Sequence, residues 1–236
     1  MQLFKDFTPS EHEYDTELDD QRLQVLMCET MCPEAFVLFE LVDRVVERVC
    51  PGLFTDQYRP ASLPTNLIFS TSGGSAQAPH WDQELNPWTD NGRDAYVAWL
   101  DDDAHQHALS VLITAENWAS VLVAKRTHGT IIEAYNTGDA DTVRANLDKA
   151  TVERVWIPPW SVLYFSNVLV HAGDRYGAEE GLNARFHRYY PHVSHIDVGA
   201  KTAPLLGLGD FNVKHLLGEF KRVADLPKVR PCHGFV

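Results

Sequence analysis

The hydrophobic pattern changes character near residue 60. Before that point apolar positions recur at helical spacing, and after it they come in short runs broken by turn residues. In "TELDDQRLQVLMCETM", residues 16–31, Leu18, Leu23, Val25, Leu26 and Met27 fall at mixed helical spacing. Asp19 and Asp20 stand early in the stretch, where the positive end of a helix favours them. The pattern predicts a first helix there. Pro33 fits the first turn of a second, "PEAFVLFELVDRVVERV", which Pro51 and Gly52 end. The apolar residues of this second helix occupy more than one stripe, which suits packing against something broad, such as a sheet.

From there the runs are "TNLIFS", "DAYVAWL", "ALSVLITA", "SVLVAK", "GTIIEAY", "ERVWIPP", "SVLYFSNVLVHAG" and "ARFHRYYPHV". They are rich in Val, Ile, Tyr, Phe and Trp and too short for helices, so they read as strands. About eight strands without intervening helices predict a sandwich or jelly roll and not a βαβ sheet. One helical interlude, "DADTVRANLDKATVE", interrupts them, and "FNVKHLLGEFKRVAD" places Leu216, Leu217, Phe220 and Val223 on one face of a closing helix. The expected build is a single domain, mainly β with flanking helices: a helical buttress over 1–60, a jelly-roll core over 61–198 and a helical tail over 199–236. A chain of 236 residues buries enough surface to need no staples.

Charge narrows the partners. There are 20 basic against 33 acidic residues, a net charge of −13. That balance repels a phosphate backbone, so nucleic acid is disfavoured, and a small molecule or a peptide is the expected partner. No run of 18 apolar residues and no leader-like N-terminus is visible, so the expectation is a soluble, cytoplasmic protein with no membrane partner. Cys28 and Cys32 lie one helical turn apart in "MCETMC" and read as semi-buried thiols; with Cys50 and Cys232 they make neither a CxxC nor a zinc-finger pattern.

The candidate chemistry lies in "SAQAPHWDQELNPW". His80 and Asp82 are two residues apart, so on a strand both point to one face, as two ligands of a single metal should. A third ligand should come from a later strand, and His171 in "SNVLVHAGDRY" is the best candidate. Two imidazoles and one carboxylate leave half of an octahedron open, the arrangement suited to non-haem Fe(II) and oxygen chemistry. A closed structural site would use four ligands, usually thiolates among them.

His80-Trp81-Asp82, then His171, then Arg185 in "NARFHRYY", resembles the HxD…H…R signature of the Fe(II)/2-oxoglutarate-dependent dioxygenases, over roughly residues 66–195. "RDAYVAWLDDD" and "RVWIPPWSVLYFSNVLVHAG" are similar to segments of the prolyl-hydroxylase-like and phytanoyl-CoA-dioxygenase-like branches. The resemblance implies a double-stranded β-helix, a cupin-like jelly roll. It implies Fe(II) on His80, Asp82 and His171, and 2-oxoglutarate gripped by Arg185, whose forked guanidinium matches a carboxylate. His187 is a further expected neighbour of the cosubstrate, as is Tyr164, for which core packing is the other reading, and ascorbate is a supporting reductant. The implied reaction is hydroxylation of an unactivated C–H of a small metabolite by O2, with succinate and CO2 released. A prolyl or other side-chain hydroxylase is the alternative, and retention of Asp82 argues against halogenation.

Three departures from the pattern matter. Arg185 follows His171 by more residues than is usual in the family, which leaves Arg188 as a competitor, on the opposite face of a regular strand. "PPWS" stands where the family has a turn glycine. The phytanoyl-type "NGxL…PGSH" stretch is replaced by "AHQHALSVLITAENW". Trp88, Tyr96 and Asn66 are candidate substrate-facing residues, with Trp88 in the loop after HxD. His105 and His107 form an HxH but lack the glutamate a cupin motif would add. Two rivals of other classes stand beside the dioxygenase: a non-catalytic jelly-roll binding module, and a zinc hydrolase, for which no HExxH is present.

Overall fold

The computed structural model describes residues 22–26, 33–49, 65–82, 109–130, 140–167, 169–176, 183–190 and 213–230. In chain order the elements are β1 (Arg22–Leu26), α1 (Pro33–Val49), β2 (Thr65–Ser70), β3 (Leu109–Thr114), β4 (Ala119–Ala124) and α2 (Ala140–Leu147). β5 (Val152–Ile157), β6 (Val162–Ser166), β7 (His171–Gly173), β8 (Asn183–Tyr190) and α3 (Lys214–Asp225) follow. The predicted strands "DAYVAWL" and most of "GTIIEAY" lie outside the described residues.

The first predicted helix is a correction. Within residues 16–31 the described part is β1, an edge strand antiparallel to β2, with Arg22 opposite Ser70 and Leu26 opposite Asn66. Its first four residues, Arg-Leu-Gln-Val, alternate polar and apolar with period two. That alternation, together with a free edge on β2, outweighs the mixed helical spacing around it.

Five strands form one sheet in the order β1-β2-β8-β3-β6, and three form a second in the order β5-β4-β7, with every pairing antiparallel. From β3 the chain crosses repeatedly. β4 and β5 belong to the small sheet, β6 to the large, β7 to the small and β8 to the large. β8 enters between β2 and β3. This return of the last strand between earlier ones, across two facing sheets, is the double-stranded β-helix of a jelly roll.

Helices cover the outer faces. On α1 the stripe Ala35, Phe39, Val42 and Val46 packs on Leu67, Val111, Ile113 and Phe186 of the large sheet. Each large side chain so buried contributes about 1.5–3 kcal/mol. The second stripe of that helix, Val37, Leu41 and Val45, is exposed, so the sheet meets one face only. α3 lies against β4 and β5 and buries Leu216, Phe220, Val223 and Ala224; Leu217, predicted on the same face, is half-buried. Between the sheets, Leu112, Ala119, Val121 and Ile157 form the inner core, joined by Leu163 and Phe165.

Two buried ion pairs tie these layers. Arg188, fully buried between α1 and the large sheet, bonds both oxygens of Asp43 at 2.9 and 2.8 Å and Thr65 Oγ1 at 2.7 Å, with its guanidinium over the Phe39 ring. On the other side, Arg154 Nε is 2.6 Å from Asp174 Oδ2. The same guanidinium donates to Val223 O at 2.8 Å and Ala224 O at 3.3 Å, carbonyls of the last turn of α3, of which Val223 O also accepts from the Leu226 amide that caps the helix. Asp174 also accepts from Ser120 Oγ at 2.7 Å. The "PPWS" turn between β5 and β6 puts Trp160 at φ 56°, in the left-handed region that its missing glycine would occupy without strain.

Candidate metal centre

His80 sits just past the β2 edge, where the chain runs beside β7. Its amide donates to His171 O at 2.9 Å, and the His171 amide returns the bond at 2.8 Å, an isolated antiparallel bridge. The bridge extends the small sheet by one residue and sets the two imidazoles side by side, their ring centres 4.6 Å apart. Asp82, two residues on, has its amide fixed on Asn167 O at 2.8 Å. The donor atoms of His80, Asp82 and His171 all lie within 4.8 Å of one another, with His80 Nε2 3.8 Å and His171 Nε2 3.6 Å from Asp82 Oδ1.

The imidazole tautomers suit a metal. His80 Nδ1 faces Ala78 O at 2.8 Å, and His171 Nδ1 faces Leu169 O at 3.0 Å. A carbonyl only accepts, so each Nδ1 carries the proton and each Nε2 presents its lone pair to the cluster. Burial, followed by the neighbouring His171, holds His80 below the ordinary imidazole value and so favours the neutral, ligating form. Burial by itself would raise the Asp82 carboxyl, but the His171 and His187 imidazoles more than offset it and keep Asp82 below the usual carboxylate range. Two imidazoles with Nε2 turned to the cluster beside an ionised carboxylate are the donor set a divalent transition metal takes.

Beside the triad is a cavity bounded by His80, His171 and His187 near the ligands, by Ile68, Leu112 and Ile157 along its walls, and by Arg185. Alternation along β8 explains the arrangement: Asn183, Arg185 and His187 face inward, while Ala184, Phe186 and Arg188 face α1. The buried Arg185 guanidinium meets only neutral groups among the described residues. Its Nη1 lies 3.0 Å from Ser70 Oγ, 3.3 Å from the Tyr176 hydroxyl and 3.3 Å from Asn183 Oδ1. Arg188, the competitor, spends its fork on Asp43 across the sheet. Arg175 reaches Asp225 O on α3.

Of the two readings of Tyr164, its position matches core packing. It packs on the α1 side of the large sheet with Leu67 and Phe186, so it is a core residue and not a cosubstrate neighbour. The inward residue of that strand is Phe165, whose ring meets His171 edge-on at 4.8 Å and stacks on His187 at 6.1 Å. Asn66 pairs with His187 across β2 and β8 and therefore shares its inward face, although it does not line the cavity. Trp88, Tyr96, His105 and His107 lie outside the described residues, as do all four cysteines.

Several site residues escaped sequence reasoning. Ser110 donates to Asp82 Oδ2 at 2.5 Å; the signal was a single polar residue inside the apolar run "ALSVLITA". Asn167 carried none beyond its place four residues before His171. Gln77 bonds the β7 backbone twice: its amide donates to Gly173 O, and its Oε1 accepts from Gly173 N, both at 2.9 Å. The glycine of "HAG" is there for room, since a Cβ would stand 2.4 Å from Gln77 Oε1 and 3.1 Å from an Arg22 nitrogen.

No family model matches the sequence, and no curated protein matches it. Among solved structures the chain is similar to HygX from Streptomyces hygroscopicus with nickel and 2-oxoglutarate bound, at 16% identity and TM-score 0.48, over 74% of this chain and 71% of that one. It is also similar to an oxalate oxidase, at 7% identity and TM-score 0.34, over 78% of this chain and 58% of that one. A third is Bacillus subtilis oxalate decarboxylase OxdC, at 9% identity and TM-score 0.36, over 76% of this chain and 28% of that one. The chain thus spans 58% of the length of that oxalate oxidase. At such identities the likeness concerns the fold and no more.

Proposed function

We propose that this chain is an Fe(II)- and 2-oxoglutarate-dependent dioxygenase that hydroxylates an unactivated C–H of a small metabolite. The observation that carries the reading is Arg185, a buried guanidinium with only neutral partners among the described residues, set on the wall of a cavity that His80 and His171 also line. A buried cation without a carboxylate is costly, and an anionic ligand relieves that cost. Apolar walls between a cationic group and a metal site suit a short dicarboxylate whose other end is a keto acid. A zinc hydrolase or an empty binding module leaves Arg185 without a role.

His80, Asp82 and His171 would hold the iron, and Arg185 would take the distal carboxylate, with Ser70 and Tyr176 orienting its fork. Iron with bound 2-oxoglutarate supplies the oxygen activation that couples decarboxylation to hydroxylation. Ile68, Leu112 and Ile157 exclude water along the walls, which strengthens the charge pairing at Arg185. Protein purified anaerobically with Fe(II) should develop a visible charge-transfer band on adding 2-oxoglutarate and should form succinate slowly without substrate. Absence of both band and succinate rejects the reading. A screen for metabolites consumed together with succinate formation then names the substrate.

A further inference from the structure

The two oxygens of Asp82 face different groups. Oδ1 is the oxygen nearest to Nε2 of His80 and of His171, at 3.8 and 3.6 Å. Oδ2 is turned away from them, toward Ser110 Oγ at 2.5 Å and His187 Nε2 at 3.4 Å. His187 stands outside the cluster whose donor atoms lie within 4.8 Å of one another, which comprises His80, Asp82 and His171 among the described residues. It reaches the carboxylate without joining the ligands.

Resting on the metal reading above, we propose that Ser110 and His187 are positioning residues that hold Asp82 Oδ2, so that Asp82 binds the metal through Oδ1 alone. A carboxylate free to rotate can take up a metal through one oxygen or through both, and the second consumes a further coordination position. Pinned at Oδ2, it leaves half the octahedron open for cosubstrate and oxygen.

The surroundings support these roles. A hydroxyl has one proton, and Ser110 Oγ also lies 2.6 Å from the end of the Asn167 side chain. With the Ser110 proton committed to the carboxylate, the Asn167 amide turns its N–H toward Ser110 Oγ; the two orientations of an amide are interchangeable in outline. The Asn167 backbone carbonyl meanwhile fixes the Asp82 amide at 2.8 Å, so one residue steadies both ends of the ligand. The ring of Phe165 stacks on His187 with 28° between planes and holds the imidazole beside Asp82, with Nε2 3.4 Å from Oδ2, in ion-pair range but outside hydrogen-bond geometry.

The test is a Co(II) titration of the whole chain followed through the d–d bands, with His187→Phe, His187→Gln and Ser110→Ala, and thermal melts of each variant without metal. His187→Phe should weaken Co(II) binding roughly 10- to 100-fold, the usual loss for a supporting contact to a ligand, and should alter the band pattern. Ser110→Ala should do the same, whereas His187→Gln, which keeps an N–H at the same reach, should restore both affinity and spectrum. The proposal is overturned if His187→Phe and Ser110→Ala bind Co(II) like the unmodified protein, or if His187→Gln is as weak as His187→Phe. It is also overturned if His187→Phe keeps Co(II) and loses only 2-oxoglutarate, which would assign His187 to the cosubstrate. If the unmodified chain takes up no Co(II), the metal reading falls as well; if it does and the variants match it, only the positioning roles fall.

Discussion

His80 and His171 are backbone partners as well as candidate co-ligands: each amide donates to the carbonyl of the other, at 2.9 and 2.8 Å. The spacing of the imidazoles is therefore set by main-chain bonds that no side-chain substitution removes. Replacing His80, Asp82 or His171 by Ala should abolish Fe(II) or Co(II) binding while shifting the metal-free stability by no more than about 1 kcal/mol. Metal at 100 times its dissociation constant should stabilise the unmodified protein by about 2.7 kcal/mol, reversed by a chelator, and the three variants by nothing. Thermal melts with and without Co(II) read both effects.

Arg185 and Arg188 stand three residues apart on β8 and face opposite ways, so their substitutions should fail in opposite ways. Arg185→Ala should keep metal binding and raise the 2-oxoglutarate requirement steeply, consistent with about 2–5 kcal/mol for losing one partner of a buried charge pair. Arg188→Ala strands the buried Asp43 carboxylate and should cost about 3–5 kcal/mol of stability. Urea unfolding beside a 2-oxoglutarate titration distinguishes the two. A cosubstrate defect in well-folded Arg188→Ala would move the anion site across the sheet.

Trp160 holds a left-handed φ of 56° with its side chain 58% exposed, so it bears strain without much burial in return. Left-handed backbone costs a residue with a Cβ about 1–2 kcal/mol, of which the greater freedom of unfolded glycine returns part. Trp160→Gly should therefore raise stability by about 0.5–1 kcal/mol, seen as a higher urea midpoint at unchanged slope.

Gly173 is tight against Gln77. In Gly173→Ala the new methyl displaces the flexible end of Gln77 and breaks its bond to the Gly173 amide, a loss of about 0.5–1.5 kcal/mol. Gln77 lines the cavity, so the displaced amide should intrude there and weaken 2-oxoglutarate binding more than metal binding. Equal losses of metal and cosubstrate would instead point to a shift of β7 itself.

Much of this arrangement was readable before the fold was known, for identifiable reasons. The strands in "TNLIFS", "ALSVLITA", "SVLVAK", "ERVWIPP", "SVLYFSNVLVHAG" and "ARFHRYY" declared themselves through short β-branched and aromatic runs, while "DAYVAWL" and most of "GTIIEAY" lie outside the described residues. The i, i+2 spacing of His80 and Asp82 and the opposed faces of Arg185 and Arg188 follow from strand geometry alone. β1 was misread because four alternating residues are overwhelmed by flanking leucine and methionine at helical spacing. The sequence leaves Tyr164 between cosubstrate and core because its face depends on the phase of β6, and an apolar run such as Val-Leu-Tyr-Phe, half-buried on both sides, does not reveal it. Asn167 had no local signature, and Ser110 only that of a lone polar residue inside an apolar run. Their meaning arises from residues far apart in the chain that only the closed sheets bring together.

The strand that carries His171 is only three residues long, yet it is anchored on both sides. β4 pairs with it on one side, His80 and Gln77 hold it on the other, and Asp174, immediately after it, is locked to Arg154 and through Arg154 to the end of α3. Preorganisation is the result. The ligand geometry is assembled by folding, so metal uptake spends little on ordering the chain and should be fast and reversible. The same anchoring makes the last turn of α3 a remote support of the metal centre: a cut or fusion at that turn should be felt as weaker metal affinity well before the β-core loosens.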